Sequence, residues 1–181
     1  MSNEKIGVLD SGSKEEKIAT LESLTNTNDF HIINKIISKL DDPDIEVRGE
    51  AFSSLVLNEN NISEPLIHNL ESESKNIRGF SALVLANRRN SDAISEITIL
   101  TKDQSGMVRA CALGALGYLK AKQSSKQIHE CFFDSNIEVK KSALKAAISI
   151  GDKISNEEVS QLSKEKDAEI EKLLLEAKIN S

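Results

Sequence analysis

Tryptophan is absent from this chain of 181 residues, and tyrosine occurs once. Aromatic residues make up only 3% of the total, while 39% of residues are hydrophobic. A core so poor in rings and rich in Leu, Ile and Ala does not suit a β-sandwich and suits packed helices. Two prolines and eight glycines are too few for the tight turns of an all-β chain. The two cysteines, Cys111 and Cys131, do not make a disulfide framework. No apolar run is long enough to span a bilayer, so no membrane partner is expected. Residues 1–10, MSNEKIGVLD, lack the apolar centre of a secretory leader, so a cytoplasmic protein with reduced thiols is expected. The net charge of −6 is of the wrong sign for a nucleic-acid binder, and Arg88-Arg89 is the one local basic pair, set in a turn.

What the chain does contain is a repeat. A basic residue recurs at Lys17, Arg48, Arg78, Arg109 and Lys140, and Glu171 takes the sixth place. The steps are 31, 30, 31, 31 and 31 residues. Four residues before each stands Ser13, Asp44, Ser74, Ser105, Asn136 or Asp167. All are types whose short side-chain oxygens cap helix N-termini. Apolar residues at −1, +3, +4 and +7 from the basic position trace one face of a helix, called A here. Twelve residues before it stand Ile36, Leu66, Ile97, Ile128 and Val159, which mark a second helix, B. Turn-like stretches such as Asn58-Glu59-Asn60-Asn61 and Asn87-Arg88-Arg89-Asn90 separate A from B. One helix pair cannot bury both its faces, whereas stacked pairs can. The expected fold is therefore all-α: a right-handed α-solenoid of about five antiparallel helix pairs plus a terminal capping helix. Units are expected to begin near residues 9, 40, 70, 101, 132 and 163 of one domain over 9–181, with residues 1–8 disordered or frayed.

The pattern D..VR..A...L at 44–55 and 105–116, with the run Ala112-Leu113-Gly114-Ala115-Leu116-Gly117, resembles HEAT repeats. More narrowly it is similar to the short HEAT-like repeats of the phycobilin-lyase type. The resemblance implies a ladder along the turns before the A helices, with Asp42, Asp103 and Asp134 as partners for Arg48, Arg78, Arg109 and Lys140. It also implies a concave face lined by B helices. Two enzyme or nucleic-acid alternatives use the same architecture. Deoxyhypusine hydroxylases assemble a di-iron site from several His-Glu dyads, and this chain has one, His129-Glu130. Certain DNA glycosylases use basic concave faces with aromatic side chains, which are lacking here. No Gly-rich phosphate loop, G-x-S-x-G motif or Cys–His pairing is evident, so no catalytic residue, cofactor or metal is expected.

On the B helices, a 100° step per residue places positions −14, −13 and −10 opposite the apolar stripe. The candidate partner-binding ridge is therefore Lys35, Ser38, Glu64, His68, Glu96, Ile99, Lys126, Glu130, Glu157 and Gln161. Pro65 also falls on it. Ile99 is apolar on an otherwise polar row, which favours a contact there. The expected role is a non-enzymatic scaffold or adaptor for a protein partner, with a chromophore-lyase or chaperone-like subunit as the alternative. A monomer is favoured.

Overall fold

The computed structural model describes residues 2–179, and all of the regular structure there is helical. The chain divides into two compact units, 1–88 and 89–181.

The first unit holds six helices: α1 (Ser2–Ser11), α2 (Lys14–Ser23), α3 (Phe30–Ser38), α4 (Ile45–Leu57), α5 (Ser63–His68) and α6 (Lys75–Asn87). They form two layers. The A helices α2, α4 and α6 pack side by side, and the B helices α1, α3 and α5 do the same against them. Leu21, Ile36, Leu40, Ala51, Leu55, Leu66 and Leu85 are sealed between the layers. Residues 2–8, expected to be frayed, belong to α1. Its Leu9 is fully buried at the place of Leu40 and Leu70 in the following repeats, so α1 is itself a B helix.

The second unit repeats the plan with α7 (Ile94–Ile99), α8 (Gly106–Tyr118), α9 (Ser125–Glu130), α10 (Ile137–Ile150), α11 (Asn156–Leu162) and α12 (Ala168–Ile179). Here α8, α10 and α12 form the A layer, and Ile97, Val108, Leu113, Leu116, Ile128, Val139 and Leu144 fill the core. Gly117 lets α10 approach α8 closely: a Cβ there would lie 3.0 Å from the Ala146 Cα. Leu175 of α12 is 62% exposed, although Leu113 and Leu144 at the same repeat position are fully buried.

Sequence chemistry fixes the helix boundaries. Five of the six expected caps accept amide bonds: Ser13 from Glu16, Asp44 from Glu46 and Val47, Ser74 from Ile77, Asn136 from Glu138, and Asp167 from Glu169 and Ile170. Ser105 is the exception. Its side chain makes no cap bond, and its own amide donates to Asp103 Oδ1 at 2.7 Å. Each of α3, α5, α7, α9 and α11 tightens into a 3-10 turn, and this turn carries the chain toward the next A helix.

Candidate protein-interaction surface

The turns before the A helices hold the ladder residues. Arg48 donates to the carbonyls of Asp42 and Pro43 at 2.7 and 3.1 Å. Arg78, itself buried, donates to those of Ser72 and Glu73 at 2.8 and 2.9 Å. Arg109 donates to the Asp103 carbonyl at 2.8 Å. Each guanidinium thus ties down its own turn. Arg109 makes two bonds to Asp134. Asp42, 5% exposed, pairs with Lys17, the basic residue of the preceding repeat, at 3.0 Å, the same 25-residue step as Arg109 to Asp134, and lies 3.9 Å from Lys39. Lys140 pairs with Glu165, which the sequence reading had not included.

A second set of bonds crosses between repeats at the A-to-B turns of the first unit, and the sequence reading missed it. Asn58 donates to the Thr27 carbonyl at 2.8 Å, and Asn60 to that of Asn26 at 3.0 Å. One repeat further on, Arg88 donates to the carbonyls of Leu55 (3.0 Å), Asn60 (2.6 Å) and Asn58. The guanidinium caps the C-terminal end of α4, where orphan carbonyls and the helix dipole favour a cation. Burial pushes its pKa down. The Arg88-Arg89 pair is therefore not a basic surface patch, because Arg88 is spent inside the fold.

The B helices present the candidate ridge. In the first unit Ser38, Glu64 and His68 are exposed, while Lys35 is half-buried and paired with Asp10 of α1. Pro65 does not belong to the ridge: it is buried in the first turn of α5. In the second unit Glu96, Ile99, Lys126, Glu130, Glu157 and Gln161 are all exposed. Ile99 stands out at 72% exposure, at the end of α7. Beside it, Lys102 reaches across to Glu130 at 3.6 Å. Phe133, at the end of the 3-10 turn after α9, is also 59% exposed. Its signal was present in the sequence: the matching positions are Asp41, Glu71, Lys102 and Lys164, so an aromatic there is as anomalous as Ile99.

Most of the side chains suited to chemistry are engaged within the fold. His129 does not pair with Glu130. Its ring nitrogens face Glu158 at 2.7 Å and Asp152 at 3.3 Å, on opposite sides of the ring, so the three groups do not converge on one point. Among the described residues no group of three or more His, Cys, Asp or Glu could hold a metal. The Ser125 hydroxyl donates to Asp152 and not to an imidazole. Cys131 is buried and Cys111 half-buried, and burial pushes both thiols up to about 11, away from the reactive thiolate. No helix among the described residues is long and apolar enough to cross a membrane.

No protein-family model matches the chain, and no curated protein matches its sequence. Solved structures do match. A crystal structure of an engineered protein is similar with a TM-score of 0.60 at 16% identity, covering 98% of this chain and 94% of that one. A designed armadillo repeat protein in complex with the peptide (KR)4 has a TM-score of 0.55 at 18% identity, covering 98% of both chains. Computationally designed armadillo repeat proteins for modular peptide recognition match at 0.52 and 18%, again over 98% of both. The fold is an armadillo-like helical repeat. That places the chain in the all-α solenoid class which its 31-residue period implies.

Proposed function

We propose that this protein is a non-enzymatic interaction scaffold that binds an extended segment of a protein partner along the B-helix ridge of its second unit. The observation that carries this reading is the exposure of Ile99 and Phe133, each three residues from one member of the Lys102–Glu130 ion pair. The apolar residues behind them, Ile97, Ile128 and Phe132, are buried. Two large apolar side chains rimmed by charges match the composition of a binding hot spot. The designed neighbours support the same reading, since one set of them was designed for modular peptide recognition.

The first unit has nine Lys and Arg against fifteen Asp and Glu, and the second has fourteen of each. The unit that carries the ridge is therefore neutral, and the apolar pair rather than net charge would select the segment.

A displayed library of random peptides, panned against the protein, tests the proposal. Enriched peptides should lose more than about tenfold in affinity with Ile99→Asp, which is about 1.4 kcal/mol. Glu171→Gln, an exposed change on α12, should leave affinity unaltered. Binders indifferent to Ile99→Asp but lost with substitutions on the A helices would refute it.

A further inference from the structure

The imidazole of His129 lies between two carboxylates from two different segments. Nδ1 is 2.7 Å from Glu158 Oε1 on α11, and Nε2 is 3.3 Å from Asp152 Oδ2 in the loop after α10. The ring rests on Phe132, with centroids 4.7 Å apart. All three polar side chains are largely withdrawn from solvent, at 21%, 24% and 16% exposure for His129, Asp152 and Glu158. On its own helix, the Ser125 hydroxyl faces the same Asp152 oxygen. Of the other charges on α9, Lys126 and Glu130 are exposed, and Glu130 is engaged by Lys102. Glu158 also completes the N-terminal cap of α11: its Oε2 accepts from the Ser155 amide at 2.8 Å, and its own amide donates to Ser155 Oγ.

Hydrogen-bond valence decides what this arrangement does. Only the imidazolium carries a proton on both nitrogens. It donates to both carboxylates at once and joins α9, the 151–155 loop and α11. The neutral ring donates to one, and its other lone pair then faces a carboxylate oxygen. We propose that His129 is a pH-sensitive clasp on the C-terminal repeat, closed while the imidazole is protonated and loosened when it is neutral. This device is independent of what the ridge binds.

The acid limb of the clasp is set by Glu158. Burial would raise its carboxyl, but the bonds from His129 and Ser155 outweigh this and hold it below the ordinary glutamate range. At the acid end the clasp therefore loosens as pH falls through the depressed Glu158 value.

Hydrogen exchange on the full chain tests the proposal. Opening constants for amides of α11, corrected for intrinsic exchange, should rise at least about fivefold between about pH 6 and pH 8, the scale of one charge-assisted bond. Those of α8 should not change. His129→Gln, which has no proton to lose, should flatten the α11 response. Asp152→Asn should weaken it too, because the amide can satisfy Nε2 whichever way that nitrogen is protonated. This second variant keeps the test decisive if the first folds poorly. An α11 response that is flat in the wild type, or unchanged in both variants, would overturn the clasp.

Discussion

Arg109 holds Asp134, twenty-five residues further along the chain, through two bonds: Nε to Oδ2 at 2.7 Å and Nη2 to Oδ1 at 2.8 Å. Both side chains are largely buried, at 16% and 11% exposure. The same carboxylate accepts the Asn136 amide at 2.8 Å, so it positions α10 while it joins two repeats. Removing one partner leaves the other charge desolvated and unpaired. Asp134→Ala should therefore cost about 2–4 kcal/mol in urea denaturation. Lys102→Ala breaks an exposed pair at 3.6 Å and should cost under about 1 kcal/mol.

Acid should unfold the protein through these carboxylates. Burial alone would raise Asp134 and Asp42, but in both it is outweighed: by the bonds from Arg109 and Asn136 for Asp134, and by those from Asp44 and Lys17 for Asp42. Both end below the ordinary value of 3.8. A carboxyl depressed by folding stabilises the native state above its unfolded value, and that stability is lost as pH falls through the folded value. Stability should therefore hold through pH 5 and fall steeply below about pH 4. Asp134→Asn should flatten that fall, as followed by circular dichroism in urea at each pH.

Packing predicts a gradient within the first unit. Leu55 is 1% exposed on α4, the middle A helix of that unit, and Leu24, at the same repeat position, is 6% exposed at the end of α2. Leu55→Ala should cost about 2–5 kcal/mol, as for other large-to-small changes in a packed core. Leu24→Ala should cost less, because an end repeat collapses more readily around the vacancy. Equal losses would contradict a stack of repeats.

Lys166 adopts a left-handed conformation, φ +51°, after the 3-10 turn that follows α11. A non-glycine residue pays a steric cost there that glycine avoids. Lys166→Gly should be neutral or raise stability by up to about 1 kcal/mol, with a matching rise in Tm.

The repeat was legible because every unit reuses the same apolar positions, and the N-caps because Ser, Asp and Asn recur four residues before the basic site. The bonds between A-to-B turns were not. Their donors change type, from Asn58 and Asn60 to Arg88, and their acceptors are backbone carbonyls that leave no mark in a sequence. Helix α1 escaped notice because Lys5 stands where the other B helices carry Ile, Leu or Val. Of the ridge, Ile99 was visible as an apolar residue on a polar row. Phe133 had the same signal but lies one turn further along, outside the positions counted. The His129 partners lie 23 and 29 residues away, in a loop and a helix start where no period constrains the side chain.

The most direct test of the scaffold reading is a chemical-shift titration of the isotopically labelled protein with a peptide enriched by panning. The account predicts that shifts concentrate on Glu96, Ile99, Lys102, Lys126, Glu130 and Phe133. Shifts confined instead to Gly114, Tyr118, Ser142 and Lys145, which line a groove along α8 and α10, would contradict it.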